Sequence, residues 1–464
     1  MSKKVFVLVP DGVGLRNFAY TSFYKIGKDK GYEIVFWNAT PFDVEELGFQ
    51  QIRIQHPRLN TFTDVLKSAR IRIELSLFAK RDKDPIYHEY LFPLSYKTVR
   101  RAVKSLIIRW YVRLYSSEKG LEKIRLKIIN SERKTAHYNR SKSILETERP
   151  DMVFCTSQRA VTTIAPLTAA QDLGIPTTSF IFSWDNIPKA TTVGTTDFYF
   201  VWSEHMKKEL LHYQKYITSD QIRITGTPQF EPHFEDSRLL SRELFCSKNN
   251  LNPNIRYICF SGDDITTSPK DELYLRDLAI AVRILNNKGF QLKIIYRKCP
   301  VDFSSRYDEV LYKYEDVIVN IPPLWKKIGD GWNSILPLPE DLDLQVNIIF
   351  HSDCVINLAS SMVFDFVSQG KPCGYMNYNY LNPKEKTEKG VYIYDYVHFR
   401  SMPSSDAVIW FEMPDTIAIQ LEHMLEGVPH TISAAKDWFE LINIHPPQDA
   451  SKRVWDDIEK IIQR

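Results

Sequence analysis

Short runs of consecutive apolar residues alternate along the chain with longer stretches whose apolar positions recur every three to four residues. In the first half VFVLVP is followed by a predicted helix from about Asn17 to Lys30, by Gly31 as its C-cap, and by EIVFWN. Beyond a basic helical segment the alternation resumes with DMVFCT, a helix over Ala160 to Asp172, TTSFIF, a loop, DFYFVW and a helix from Glu204 to Tyr213. GTPQFEPHFEDSRLL, with two prolines and several acids, reads as a linker. The second half repeats the scheme: RYICFSGDD, a helix over Leu273 to Lys288 capped by Gly289, QLKIIYRKCP, an irregular stretch carrying Pro322, Pro323, Pro337 and Pro339, a helix from about Glu340 to Phe350, DCVINL, a helix starting at Ser360, and CGYMNY. Strand, helix, strand in this order builds parallel sheets with right-handed crossovers. The expected class is α/β, two Rossmann-like doubly wound domains facing an interdomain cleft. Their expected limits are 1–235, with a basic helical insertion at about 95–145, and 250–445, followed by a C-terminal helix at 446–464. A length of 464 residues fits two cores, because single cores stop growing near about 250 to 300 residues.

Charge changes this picture at one place. Fourteen Lys and Arg against three Glu between Lys97 and Lys142 make that segment +11, which leaves −8 for the rest of a chain of net charge +3. On a helix, Val99, Val103, Leu106, Ile107, Trp110 and Leu114 form one stripe, with Arg100, Arg101, Lys104 and Arg109 flanking or opposite it. Two readings stand: a solvated helix packed on its own domain, or a contact through residues 97–115 with anionic lipid head groups or an anionic acceptor. One basic helix on a near-neutral chain lacks the broad basic face of a nucleic-acid binder. The apolar run Val5 to Pro10 is too short for a signal-peptide core, and no window is long and apolar enough to span a bilayer. The expected place is therefore cytoplasmic, peripheral on the inner face of the membrane if the basic helix binds lipid. Six scattered cysteines without a CxxC pair, and eleven histidines without HExxH spacing, give no metal site and no disulfide framework.

Three loops carry chemistry. Asp11-Gly12-Val13-Gly14-Leu15-Arg16-Asn17 is G-x-G-x-x-N where a dinucleotide fingerprint would end in glycine, and the second strand ends in Asn38 where an acid would bind ribose, so NAD binding is disfavoured. What survives is Asp11 at the carboxyl end of the first strand, placed as a general base or as the cap of the next helix. Ser183-Trp184-Asp185-Asn186 follows a buried strand, where Trp184 can stack on a sugar ring while Asp185 and Asn186 meet hydroxyls. In the second half, Ser360 and Ser361 sit where a helix begins after DCVINL, and Asp365 follows one turn later. The loop Ser261 to Ser268 supplies Thr266 and Thr267 as donors, but its aspartates Asp263 and Asp264 would repel a diphosphate unless they point away or bind a cation.

VWSEHMKKELLHY followed by IRITGTPQF, then IIYRKCP, SWDN and LPLPEDLDLQVNIIFHSDCVINLASSMVFDFVSQGKPCGYMNY resemble the GT-B class of nucleotide-sugar glycosyltransferases, in particular bacterial surface-polysaccharide enzymes, over roughly residues 150 to 380. The resemblance implies that Ser360 and Ser361 contact the donor phosphates, that Asp365 binds the nucleotide ribose, and that Arg297 lies near the diphosphate, joined by Thr266 and Thr267. Gly12, Gly14, Trp184 and Asn186 then fall to the acceptor, and Asp11, with Asp185 second, to the base. Cys299 stands where such enzymes carry His, and Asp365 where related ones carry Glu. No cofactor is expected beyond the nucleoside diphosphate sugar itself, and no metal. The expected reaction is an inverting transfer to a hydroxyl of a glycan or lipid-linked glycan in surface polysaccharide synthesis. A sugar-nucleotide epimerase or hydrolase of the same fold, and a non-catalytic nucleotide-sugar-binding subunit, are the competing classes. A polyol-phosphate transferase would need histidine bases that these loops lack.

Overall fold

The computed structural model describes residues 2–55, 57, 60–329, 334–380 and 391–463. The chain divides into two units: Met1–Pro228 with Lys327–Leu336 and Ile442–Arg464, and Gln229–Lys326 with Pro337–Leu441. The first unit holds a seven-stranded sheet of β1 (Lys4–Val9), β2 (Glu33–Asn38), β3 (Gln51–Arg53), β4 (Met152–Cys155), β5 (Thr177–Phe180), β6 (Phe198–Val201) and β7 (Ile222–Ile224), ordered β3-β2-β1-β4-β5-β6-β7. Every pairing is parallel, with Leu8 opposite both Trp37 and Cys155. Helices cover both faces, so the strands are buried throughout and read as continuous apolar runs rather than alternating ones.

The helix expected over Asn17 to Lys30 is two helices, α1 (Gly12–Ala19) and α2 (Ser22–Asp29). Thr21 makes the break: its hydroxyl donates to the Asn17 carbonyl (2.7 Å) and its oxygen caps the Phe23 N–H (3.5 Å). Among the described residues four α-helices stand between β3 and β4: α3 (Thr61–Asp82), α4 (Val99–Tyr115), α5 (Glu118–Glu132) and α6 (Ala136–Glu148). The 22-residue α3 has no counterpart among the expected elements. Its Leu66, Ala69 and Ile73 pack with Ile108, Tyr111, Leu121, Ile124 and Ile128 in a core of their own. Of α4, Ser105, Ile108 and Tyr111 are the buried side, while the apolar stripe read from the sequence is exposed. The remaining crossovers are α7 (Ile164–Asp172), preceded by a 3₁₀ turn at Val161–Thr163, and α8 (Glu204–Tyr213).

The second unit repeats the design with β8 (Arg256–Ser261), β9 (Leu292–Arg297), β10 (Ile318–Asn320), β11 (Cys354–Asn357), β12 (Cys373–Met376) and β13 (Ile409–Phe411), all parallel and ordered β10-β9-β8-β11-β12-β13. Its helices are α9 (Arg242–Lys248), α10 (Asp271–Asn287), α11 (Asp308–Lys313), α12 (Pro339–His351), α13 (Met362–Ser368), α14 (Ile417–Glu426) and α15 (Pro429–Ile442). The passage expected as a linker is a 3₁₀ run over Pro228–Phe234 with Phe230, Glu231 and His233 buried, hence part of the core rather than a solvated connection.

The last helix, α16 (Ala450–Ile462), is counted with the first unit rather than standing apart as the expected tail. Trp455 stacks on Phe23 at 4.9 Å and donates its indole N–H to the Phe23 carbonyl at 2.7 Å, over Gly27, where a Cβ would meet the indole at 2.1 Å. Trp455→Ala should lower the stability of the first unit by about 3 to 5 kcal/mol, as large-to-small core changes do, measured by urea unfolding. A loss under about 1 kcal/mol would show that the helix is peripheral to that core.

Candidate functional site

In an open parallel sheet ligands gather at the carboxyl edge, where the strand order reverses. In the first unit the reversal lies between β1 and β4. Asp11, just past β1, N-caps α1 by accepting the Gly14 N–H at 2.9 Å. Burial pushes its carboxyl above the ordinary range, opposed by that N–H and by the Arg159 charge. Of the two sequence readings of Asp11 the structure shows the cap, at the carboxyl edge of the sheet. Gly12 and Gly14 are buried, and a Cβ on Gly14 would approach the Thr156 hydroxyl to 2.2 Å, so Gly14 serves close packing of α1 on the end of β4.

Beyond β5, Trp184 and Asn186 are buried and Asp185 is half-buried. Asp185 accepts from Asn186 Nδ2 (2.8 Å), from the Ser183 hydroxyl and from Lys189, with which it forms an ion pair. Gln158, from the loop after β4, donates to Asn186 Oδ1 (3.2 Å) and accepts the Phe182 N–H (3.1 Å). Arg70 of α3 donates to the carbonyls of Ala190 (3.1 Å) and Thr192. The segment from Ser183 to Thr192 is therefore held from two sides, and Asp185 is engaged in an ion pair with Lys189. Gln158 and Arg70 carry no motif and were not singled out from the sequence.

In the second unit the reversal lies between β8 and β11. After β11 the backbone turns at Ala359, with φ +58°, and Ser360 receives the Asn357 side chain through its N–H at 2.9 Å. The Ser360 hydroxyl accepts from Met362 N (3.3 Å), and Ser361 precedes α13 without a side-chain cap. Both serines are half-buried. Asp365 is buried and accepts from His233 Nε2 through Oδ1 at 2.8 Å, and His233 Nδ1 is buried with no partner among the described residues. His233 stands in the passage taken for a linker, where Phe230 and His233, three residues apart, are both buried while Phe234 is exposed.

Arg297 ends β9 and is buried. Its Nη2 donates to both oxygens of Asp341 at 2.9 Å, while Nη1 has no partner among the described residues. Burial works against the Asp341 charge, yet the Arg297 guanidinium, the Leu324 N–H and the Trp325 indole N–H hold its carboxyl below the usual range. The cation expected beside a diphosphate is thus already balanced, with one donor face left over. On α12, Asp341 lies one turn before Gln345, whose Nε2 reaches the Met362 sulfur at the start of α13 at 3.6 Å.

After β8 the Thr266 and Thr267 hydroxyls both donate to Asp264, the latter at 2.9 Å, so these threonines close their own turn. Asp263 is pushed well above the ordinary carboxylate range by burial and by Asp271 and Asp264. Burial also raises Asp271 to about 6, against the Tyr307 hydroxyl it accepts at 2.7 Å. Among the described residues no group of His, Cys, Asp and Glu could hold a metal ion.

A carboxyl with a raised folded-state pKa favours the folded chain fully below its unfolded value and loses that contribution as pH rises through the folded value. For Asp271 the loss runs from about pH 4 to about pH 6. Asp263→Asn keeps the shape and removes the ionisation, so it should raise Tm, by more at pH 8 than at pH 5. Thermal scans at both pH values test this, and an equal or absent gain would show Asp263 to be ionised at little cost in the native fold.

No family model matches the chain, and no curated protein matches it. Solved structures match over nearly its whole length. MnaA of S. aureus, in complex with UDP, is 14% identical with a TM-score of 0.53, covering 99% of this chain and 97% of that one. A putative UDP-N-acetylglucosamine 2-epimerase from Listeria monocytogenes is 10% identical, TM-score 0.55, covering 99% and 96%. A glycosyltransferase from Rickettsia africae is 12% identical, TM-score 0.52, covering 100% and 99%. The fold is the two-unit α/β fold of the GT-B type, as the sequence resemblance implies.

Proposed function

We propose that the protein transfers a sugar from a nucleoside diphosphate sugar to a hydroxyl of a glycan or lipid-linked glycan, with inversion and without a metal. The observation that supports it most is the second unit's carboxyl edge, which gathers Arg297, whose buried Nη1 has no partner among the described residues, Asp365, joined to His233 through Oδ1, and two half-buried serines. These are a cationic donor and hydroxyl donors for a diphosphate, and a carboxylate oxygen for ribose hydroxyls. In the reaction the acceptor oxygen bonds to the anomeric carbon as the bond from that carbon to the diphosphate oxygen breaks. The acceptor proton passes to a carboxylate, and the nucleoside diphosphate leaves with both electrons of the broken bond. Asp11 suits the base better than Asp185: burial raises its proton affinity, while Asp185 is held by Lys189. Thr266 and Thr267 are assigned to the donor through the backbone of their turn, and Trp184 and Asn186 to the acceptor.

A sugar-nucleotide epimerase is the second reading, supported by the description of the Listeria protein as a putative UDP-N-acetylglucosamine 2-epimerase. Nucleoside diphosphate release from a panel of sugar nucleotides, with and without glycan acceptors, separates the two. Release that requires acceptor supports transfer. A changed sugar configuration without acceptor supports epimerisation, acceptor-independent release supports hydrolysis, and binding without turnover leaves a nucleotide-sugar-binding subunit. Asp11→Asn should lower turnover by about 10² to 10⁴ with nucleotide affinity retained; a normal rate moves the role to Asp185. Asp365→Asn should weaken nucleoside diphosphate binding by about 1 to 3 kcal/mol in calorimetry, and unchanged affinity would remove Asp365 from the ribose site.

A further inference from the structure

We propose that the outer face of α4 docks the protein on an anionic lipid bilayer. The 17-residue helix is about 25 Å long and rests on its domain through Ser105, Ile108 and Tyr111. Turned away from them, Val99, Val103, Leu106, Ile107, Trp110 and Leu114 fall within an arc of about 100° at 100° per residue. They are 40% to 83% exposed, Val99 most of all. Scattered exposed apolar residues are ordinary, but six on one stripe make a surface. Phe92, 84% exposed, and Tyr96 lie on the approach to the helix, and a hollow of about 780 Å³ lined by Leu91, Leu94, Tyr96, Arg109, Trp110 and Arg113 extends the patch.

Cations border this stripe on both sides. Arg100 follows it on one edge, and Arg109 and Arg113 on the other, and all three are exposed with no ion pair among the described residues. Lys104, grouped with them in the sequence, is instead paired with Asp64. The helix carries no acid, and the next one along the chain is Glu118. Apolar centre and cationic border match the two layers of a membrane interface, acyl chains below and anionic head groups around. Two copies of the chain related by a twofold axis would set these arginines against each other, which disfavours a dimer through the same face. Among the described residues no helix is long and apolar enough to cross a membrane, so the helix would lie in the plane of the interface. The docking rests on this surface alone, whichever sugar-nucleotide reaction the chain runs, and it would bring the first unit to a lipid-linked acceptor.

Vesicle co-sedimentation tests it with the full chain, using phosphatidylcholine alone and with about 30% phosphatidylglycerol. The protein should sediment with the mixed vesicles, and weakly with neutral ones, in a manner that falls with salt. Each basic residue near an anionic surface multiplies partitioning roughly fivefold, so replacing Arg100, Arg109 and Arg113 by Gln should weaken binding on the order of 100-fold at low salt. Leu106→Ser with Trp110→Ser should abolish it at low and high salt alike, with circular dichroism and Tm unchanged because both side chains are exposed in the free protein. Wild-type protein left in the supernatant with anionic vesicles at low salt overturns the proposal, as does equal sedimentation of the folded variants. A stable dimer in sedimentation velocity that the Leu106→Ser, Trp110→Ser protein no longer forms overturns it too, and makes this face a contact between copies of the chain.

Discussion

The parallel sheet governs where this protein can do chemistry. Strands covered on both faces must be apolar along their length, as VFVLV, MVFC and CVIN are, so polar side chains can collect only where the strands end. In both units the strand order reverses about a central pair, β1 with β4 and β8 with β11, and the loops leaving those strands diverge to opposite faces. Asp11, the loop at Thr156 to Gln158, Gly262 to Thr267, and Ser360 and Ser361 occupy these loops for a topological reason that precedes any ligand.

Placing polar groups at the rim of a dry core carries an electrostatic cost, and the second unit meets it by pairing. Arg297 with Asp341 and His233 with Asp365 bring opposite or hydrogen-bonding partners within 2.9 Å, both pairs being almost wholly buried. A lone buried charge there would be far costlier than these pairs are stabilising. Each pair also leaves one buried atom without a partner among the described residues, Arg297 Nη1 and His233 Nδ1, fixed in direction by the partner that holds the rest of the side chain. Preorientation of that kind lowers the ordering cost of binding an anion or a hydroxyl.

The alternation of apolar runs and helical periods was enough to place most strands and both sheets, because a strand buried on two faces has a strong signature in one dimension. Boundaries inside helices were less legible: Thr21 splits one expected helix through a hydrogen bond to Asn17, a local competition that periodicity does not register. The 22-residue α3 was missed because its buried side carries Arg70 and Glu74 beside Leu66 and Ile73, so charge masks the apolar period. Asp11, Ser360 and Asp365 were visible as polar residues at strand ends. His233 beside Asp365, Asp341 beside Arg297 and Gln158 beside Asn186 were not, since each is brought in from another part of the chain by the fold. The stripe on α4 was read correctly as a stripe, yet sequence could not say that the helix turns Ile108 and Tyr111 inward and the stripe outward.

The acidic loop after β8 shows why residue type alone misjudges a phosphate site. Asp263 and Asp264 look repulsive in sequence, and a divalent cation is one way to reconcile them with a diphosphate. Their surroundings divide them instead: Asp264 is enclosed by the hydroxyls and an N–H of its own turn, and Asp263, crowded by Asp271 and by burial, has its carboxyl driven toward the neutral form. A neutral carboxyl donates a hydrogen bond where a carboxylate can only accept. The like-charge crowding that would repel a phosphate thus also works against the ionisation of Asp263 itself.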